Sequence, residues 1–308
     1  MYATTDELIA AVRRKGRIPD SVPDYTDAVI LAEANDAISS FFVPVLSSLR
    51  QGFLVVPYDV TLTAGTQNYT VPPRAAGDAL ESVSLVMSDG REMPLSHVEI
   101  SQITGSPHTG RPVAYAFEGT RLVLMPTPDG AETTVRVRYT QRRNKLVPTS
   151  SCALVASVVS QTVNSLDVVT AVTSSSDCDI VRPRPPFLTI VDNGGIFARS
   201  NPPGTIGYTF DNGVDLTGVI AGDYLSLNGQ TCVVQLPVEL HAPLADLTAS
   251  SILRQMNFMA ESAAARKEGA DAIAGFKLLA APRVKDQLVK VVNRGSVLRM
   301  RAGGRYGF

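Results

Sequence analysis

Two features of the sequence combine residue types and spacings that could support chemistry, and the first is a His-x-Glu motif. His97-Val98-Glu99 matches the half of a zinc deaminase site in which a histidine binds the metal and a glutamate moves protons. The other half of such a site, P-C-x-x-C, is absent from the chain, so the metal would lack ligands. We therefore predict that His97 is a surface or strand-edge histidine.

The other histidines and the cysteines do not form the clusters that bind metals. His108 lies in a Ser-Pro-His-Thr-Gly stretch, which predicts a loop, and His241 precedes a helical segment. Cys152, Cys178 and Cys232 are odd in number and far apart, which argues against a disulfide framework and against a zinc site. We predict small buried or half-buried thiols, no metal and no cofactor.

The motifs of the common enzyme classes are also missing. The chain has no G-x-S-x-G, H-E-x-x-H, Walker A or G-x-G-x-x-G motif. A pair of carboxylates needs no local motif, so a hydrolase stays open as an alternative, with Glu81, Glu99, Glu118 and Asp192 as its acidic candidates. The sequence favours a protein that is not an enzyme and has no catalytic residue.

The second feature is a basic C-terminal segment, residues 283–308, which we call the arm. It contains seven basic residues and one acidic residue, a net charge of +6, whereas the whole chain has a net charge of −1. Basic residues alone would suit DNA phosphates. Here apolar side chains alternate with them, which favours docking on a protein surface. The predicted contact residues are Arg283, Lys285, Lys290, Arg294, Leu298, Arg299, Arg301, Arg305, Tyr306 and Phe308.

The composition is that of a globular chain, with 44% hydrophobic and 19% charged residues. The N-terminus lacks the pattern of a signal peptide, and no uninterrupted apolar run reaches the length of a membrane-spanning helix. We expect a protein that is made in the cytoplasm and has no membrane partner.

Helical periodicity marks the N-terminal segment, residues 1–54. A capping box at Thr4–Glu7 predicts the start of the first helix, and a longer helix is predicted to begin near Thr26. Pro44 lies inside the apolar stripe of that helix, so we expect a kink or a break there.

Strand periodicity follows in residues 55–147, which we predict to form an antiparallel β domain. Hairpin turns are predicted at Ala64-Gly65-Thr66, Asp89-Gly90 and Gly119-Thr120, because glycine accepts the positive φ that such turns require. A second, Ser/Thr-rich β unit is predicted over residues 148–237, with a hairpin at Asn228-Gly229.

Helical periodicity returns in residues 238–282, where Ile252, Met256, Met259 and Ala263 form an apolar stripe. Neither helical end can easily bury its stripe alone. The predicted fold is therefore α+β, in which N- and C-terminal helices pack as one helical base. The antiparallel β domains are inserted between them, and the extended C-terminal arm follows.

Several stretches of the chain resemble one known family. They are Thr5-Asp6-Glu7-Leu8-Ile9 onward to Ile38, Ala64-Gly65-Thr66-Gln67-Asn68-Tyr69-Thr70-Val71-Pro72, Asp89-Gly90-Arg91, Gly110-Arg111-Pro112, Leu124-Met125-Pro126-Thr127-Pro128, and Ala281-Pro282-Arg283-Val284-Lys285 onward to Arg299. Together they are similar to the head-to-tail adaptor (connector or neck) proteins of tailed bacteriophages. The resemblance covers about residues 1–147 and 236–300 and leaves residues 148–235 outside it.

The resemblance implies a structural protein of the virion neck. It implies a homo-oligomeric ring of twelve copies beneath the portal protein, joined to tail nozzle or tail-tube proteins, with DNA only as cargo passing through the channel. By the same resemblance the arm docks on the portal. Two alternatives stay open, a virion-associated peptidoglycan hydrolase and a carbohydrate-binding tail component.

Overall fold

The computed structural model describes residues 2–19, 24–49, 55–71, 74–99, 108–165, 172–185, 187, 189–200 and 205–280. These residues form a few helices and many antiparallel strand pairs, which confirms the predicted α+β class. The arm lies outside the described residues.

The first helix, α1, spans Thr5–Gly16. The predicted capping box does not form: the Thr4 hydroxyl makes no cap bond, and Glu7 Oε2 accepts a hydrogen bond at 2.6 Å from the amide of Ala3, one residue before the N-cap. The reason lies in the backbone, because Thr4 forms an isolated antiparallel bridge with Val233. The start of α1 is therefore fixed by a distant segment of the chain.

The second helical stretch begins directly after Thr26, as predicted. It consists of α2 (Asp27–Ala37), a π-helix (Ile38–Phe42) and α3 (Val43–Leu49). The irregularity predicted at Pro44 takes the form of this π turn. Pro44 is the second residue after the π turn, and this wider turn avoids the clash of the proline ring with the preceding carbonyl.

This helical stretch is also unusually apolar. By length and composition the segment Asp27–Ser47, with a mean hydropathy of 1.5, would be able to cross a bilayer. One of its faces, with Ile30, Leu31 and Ala34, is buried in the core that the helices share. Packing within the protein therefore accounts for the apolar residues on that face.

The C-terminal helices are α4 (His241–Gln255) and α5 (Met259–Ala280). The apolar stripe predicted to run from Ile252 through Met259 is wrong in its second half. Ile252 is fully buried, whereas Met259 is 58% exposed. The chain turns sharply between the two helices at Asn257, whose φ is +65°. The apolar stripe of α4 therefore does not continue along α5.

The helices from the two ends of the chain share one apolar core. α4 lies against α1, α2 and α5, and Leu8, Ile30, Leu244 and Ile252 are fully buried there. Ion pairs and hydrogen bonds join the same helices at the surface, for example between Lys15 of α1 and Asp246 of α4.

The segment after α3 forms two four-stranded sheets. The first has the strand order β1-β10-β3-β4 and the second the order β2-β8-β7-β5, with a common apolar core between them. The strands are β1 (Val55–Thr61), β2 (Asn68–Thr70), β3 (Ala75–Val86), β4 (Glu92–Pro94), β5 (Ser96–His97), β6 (Thr109–Gly110), β7 (Ala114–Glu118), β8 (Arg121–Met125), β9 (Thr127–Pro128), β10 (Thr134–Gln141) and β11 (Lys145–Leu146).

Two of the predicted hairpins are confirmed and one is wrong. β3 pairs with β4 around Gly90, and β7 pairs with β8 around Gly119, and both glycines have positive φ. The turn at Gly65 also forms, but β1 pairs with β10 and β2 pairs with β8. The turn therefore passes the chain from one sheet to the other.

The Ser/Thr-rich segment forms a closed barrel with the strand order β12-β13-β16-β15-β14-β17. Its core is made by its own residues, among them Tyr208, Phe210, Ile180 and Leu225. The strands are β12 (Ala153–Val159), β13 (Thr162–Ser165), β14 (Asp177–Val181), β15 (Thr189–Ser200), β16 (Ile206–Phe210) and β17 (Tyr224–Leu227), and β18 (Gln230–Thr231) follows the barrel.

A short junction, which we call the stem, connects the barrel to the helices; it consists of residues 145–147 and 230–233. β11 and β18 pair in parallel there, so β18 does not form the predicted hairpin with β17. The amide of Thr5 donates to the carbonyl of Cys232 at 2.8 Å, and Asn35 exchanges hydrogen bonds with the backbone of Leu146. The stem is thus attached to both α1 and α2.

Candidate functional site

Most residues of α5 are exposed in the part of the chain that the structure describes. The helix has 22 residues, of which Ser262, Gly269 and Ile273 are buried. This narrow stripe packs on α4, where the Ser262 hydroxyl donates to the carbonyl of Ser250 at 2.7 Å. A helix that buries so little of its surface in one chain has most of its side chains available for a partner.

The exposed residues at the two ends of α5 are large and apolar. Phe258 and Met259 are exposed where the helix starts, and Leu278 and Leu279 are 78% and 64% exposed where it ends. Single exposed apolar side chains are ordinary, but pairs of them at both ends of one helix are a feature of interaction surfaces. The arm continues from the C-terminal pair.

A small pocket of about 120 Å³ lies beside α5. Phe41 from the π-helix, Arg254 from α4 and Arg266 from α5 line it, together with serine hydroxyls. Phe41 is 41% exposed, and both arginines are exposed. Among the described residues neither arginine has an ion-pair partner. The pocket is therefore basic and partly aromatic, and it opens to solvent.

A second cluster, which we call the polar junction, holds the barrel against the first sheet. At its centre Asp179 of the barrel is fully buried and accepts hydrogen bonds from Arg74 and Asn144, each at 3.0 Å. The backbone amides of Asn193 and Gly229 also donate to it, at 2.9 and 3.0 Å. Such a carboxylate is tolerated in the interior because its oxygens are saturated with donors.

Electrostatics in the polar junction follow from burial. Burial raises the pKa of Asp179, and the positive charge of Arg74 acts in the opposite direction. Burial lowers the pKa of the neighbouring Arg143 to about 10, and Arg74 adds to that effect. Arg74 also pairs with Asp192, so one guanidinium connects two acidic residues of the barrel. The polar junction therefore joins the barrel to the segment before β3 through Arg74.

A cleft of about 330 Å³ opens next to the polar junction. Tyr58, Asp59 and Arg136 of the first sheet line it, together with Asp192 of the barrel. Its charged groups are already engaged, because Asp59 binds Arg136 through two hydrogen bonds of 2.7 Å. Asp192, one of the acidic candidates for a hydrolase, accepts hydrogen bonds from Arg74 and Gln141. Nothing in this arrangement favours a hydrolase.

The other acidic candidates do not converge on one site either. Glu81 accepts a hydrogen bond from Thr140 at 3.4 Å, and Glu118 is exposed at the end of β7 opposite Arg121. Glu99 lies outside the strands, two residues after β5, and β5 belongs to the other sheet from that of Glu81. These three residues therefore have separate surroundings.

The first sheet has an exposed ion-pair lattice on one face. Glu92 of β4 lies between Arg138 and Arg136 of β10 and bonds to both, at 2.6 to 2.9 Å. These hydrogen bonds lower the pKa of Glu92 to about 2. The lattice neutralises the charges of this face within the chain and leaves it little preference for an ionic partner.

The histidines named from the sequence lie apart from one another. His97 packs against the rings of Tyr115 and Phe117, with centroids at 5.3 and 5.7 Å, as a strand residue rather than a ligand. His108 is exposed directly before β6. His241 is buried at the start of α4. In the part of the chain that the structure describes, no group of three or more potential ligands could hold a metal.

The three cysteines are buried free thiols, as predicted. Burial raises the pKa of Cys178 to about 12. A hydrogen bond with Cys152, together with burial, raises the pKa of Cys232. Both effects keep these sulfurs protonated and unreactive.

The predicted contact residues of the arm lie outside the described residues, so the structure does not place them. The basic pocket and the charge pattern of α5 were not singled out from the sequence. α5 has three acidic and three basic residues, so its composition gives no signal. Only the positions of the charges around the helix reveal a pattern.

Comparison with known proteins adds one finding. A model of the SU10 adaptor protein family matches residues 3–167, which is more than half of the 308-residue chain. The match begins before α1, includes both four-stranded sheets and runs into the start of the 148–235 segment, which the resemblance left out. The C-terminal helices lie beyond it. A search of curated proteins finds no match.

Proposed function

This chain belongs to the SU10 adaptor protein family and is thus a structural adaptor of a bacteriophage virion, and we propose that it forms a ring beneath the portal. In this proposal the ring has twelve copies, joins the capsid to the tail nozzle or tail tube, and continues the DNA channel. The family match carries the proposal, and the family is a structural one that is not known as enzymatic.

The helices provide the surfaces that such a ring needs. We propose that α1, α2, α4 and α5 act as the base of each subunit, because they share one apolar core. α5 exposes apolar side chains at both ends and a basic pocket beside it. Closed rings of identical subunits require two different complementary surfaces on every copy.

The arm is proposed to bind the portal protein. It follows Ala280, the last residue of α5, and carries a net charge of +6 with alternating apolar residues. This composition suits a groove with acidic and apolar walls. The contact residues proposed from the sequence, from Arg283 to Phe308, remain the ones to test.

Deletion of residues 283–308 tests this assignment. We expect the shortened chain to remain folded, because the residues that form the described helical core all precede Ala280, and to lose attachment to portal-bearing heads. Electron micrographs of heads mixed with each protein measure attachment, and a chain with a shuffled arm of the same composition serves as the control. Attachment that is as strong as that of the complete chain would contradict the portal-binding role.

A further inference from the structure

α5 carries opposite charges on its two flanks. Glu261 and Glu268 are seven residues apart, about two helical turns, so they lie on the same side. Arg266 and Lys277 are eleven residues apart, about three turns, and share another side. Glu268 follows Arg266 by two residues, a rotation of about 200°, so the acidic flank and the basic flank face in opposite directions. All four residues are exposed.

The buried stripe of the helix lies between these flanks. Ser262, Gly269 and Ile273 face α4, so both flanks remain open when α5 is packed in its own chain. The basic flank borders the pocket of Arg254 and Phe41. The basic surface is thus larger than α5 alone, because α4 and the π-helix contribute to it.

The chemistry of the pocket suits a carboxylate on a partly apolar surface. A guanidinium presents a planar fork of donors that matches a carboxylate. Arg254 and Arg266 have no ion-pair partner within the described residues, so no internal carboxylate competes for them. Phe41 adds an apolar contact, and the acidic flank offers apolar residues for it, since Ala272 and Leu279 lie on the same side as Glu268.

We propose that the pocket of Phe41, Arg254 and Arg266 receives the acidic flank of α5 from a second copy of this chain. The inference rests on the proposed ring and names the surfaces that close it. Each copy offers a basic pocket on one side of α5 and an acidic flank on the other. Contacts of this kind, in which two different surfaces meet, repeat from copy to copy. They form a closed ring when the rotation between neighbouring copies brings the last copy back to the first.

Charge complementarity favours this occupant over DNA. Phosphates would also pair with the two arginines, but they make no use of Phe41 or of the acidic flank. A glutamate flank of the next copy uses all of these features together. The choice is also testable, because DNA binding and self-association respond to different substitutions.

Two charge-reversed variants test the contact. The first, Arg254→Glu with Arg266→Glu, makes both surfaces acidic. The second, Glu261→Arg with Glu268→Arg, makes both surfaces basic. We expect each variant alone to self-associate at least tenfold more weakly than the wild type, since like charges then face each other. An equimolar mixture should restore rings in which the two variants alternate. Sedimentation velocity and negative-stain micrographs measure assembly, alone and on purified portal.

The control is Arg121→Glu with Lys145→Glu, at exposed positions on β8 and β11. It changes the net charge by the same amount as the first variant. It should assemble like the wild type, and circular dichroism should show every variant folded. If the wild type forms rings and each reversed variant also forms them alone, the inference is overturned and the proposed ring stands. If the wild type forms no ring even on purified portal, the inference and the proposed ring are both contradicted. Unchanged assembly with reduced binding to duplex DNA in the first variant would assign the pocket to DNA instead.

Discussion

Individual side chains connect segments that are far apart in the sequence. His241 is the clearest example, because its Nδ1 accepts a hydrogen bond from the Tyr2 amide at 3.0 Å and its Nε2 contacts the carbonyl of Leu236 at 2.9 Å. Nδ1 must therefore be unprotonated and Nε2 must donate. The rings of Tyr2 and Phe187 also pack against the imidazole, with centroids at 6.4 and 5.1 Å. The neutral imidazole thus attaches the N-terminus to the start of α4.

The stability of the fold should therefore decrease as the pH falls through 6.5. Burial lowers the pKa of His241 below its usual value, so the unfolded chain binds a proton more readily than the folded chain. The stabilisation is complete well above pH 6.5 and is lost toward the pKa of the folded state. Each unit of depression corresponds to about 1.4 kcal/mol. His241→Gln should flatten the dependence of melting temperature on pH between 8 and 5.

The control for this effect is His108→Gln, which removes an exposed histidine directly before β6. Its melting temperature should follow the wild-type profile. An unchanged profile for His241→Gln would show that other groups produce the acid sensitivity.

At the scale of elements, α5 contains two glycines in different surroundings. A β-carbon at Gly269 would lie 3.0 Å from Leu247 Cγ, whereas at Gly275 it would meet nothing within 4 Å. Gly269 therefore sets how closely α5 approaches α4, and Gly275 only lowers the helix propensity. The same substitution should have opposite effects at the two positions.

We expect Gly269→Gln to destabilise the chain by about 1–3 kcal/mol through overpacking. Gly275→Gln should stabilise it by about 0.5 kcal/mol, because glutamine is a better helix former than glycine. Denaturant unfolding followed by circular dichroism at 222 nm measures both. A gain in stability at both positions would mean that the approach of α5 to α4 is not limited by Gly269. A loss at both would mean that Gly275 does more than lower the helix propensity.

Local signals in the sequence predicted the elements that depend on neighbouring residues. The hairpins at Gly90 and Gly119 need only a turn and two short alternating runs, and both form. The partner of β1 is β10, and β11 pairs with β18, which lies beyond the whole barrel. No local pattern specifies such a partner, since any alternating strand satisfies the same pattern.

The candidate site shows the same limit. The basic pocket draws Phe41 from the π-helix and Arg254 from α4, residues more than two hundred positions apart. The extra residue of the π turn changes the direction of the side chains that follow it, and the apolar periodicity does not reveal that change. The arm was visible from the sequence because its charge is concentrated in one segment.

At the scale of the whole molecule, we propose that the barrel is an independent folding unit whose orientation is set by the polar junction. Its core consists of its own residues, including Tyr208 and Phe210. The stem and Asp179 connect it to the rest of the chain. A virion component that presents such a barrel in one direction needs a rigid attachment, and a saturated buried carboxylate provides one.

Asp179→Asn should therefore lower the free energy of unfolding by different amounts in the complete chain and in the isolated barrel, residues 150–232. In the complete chain the substitution leaves Arg74 and Asn144 facing an amide that cannot satisfy every donor, so we expect a loss of about 3 kcal/mol. In the isolated barrel those two partners are absent and only the backbone donors of Asn193 and Gly229 remain, so the loss should be below about 1 kcal/mol. Hydrogen exchange of the barrel amides measures both proteins in the same way. An equal loss of stability in the two proteins would mean that Arg74 does not stabilise the attachment. An isolated barrel without protected amides would show that the barrel depends on the rest of the chain to fold.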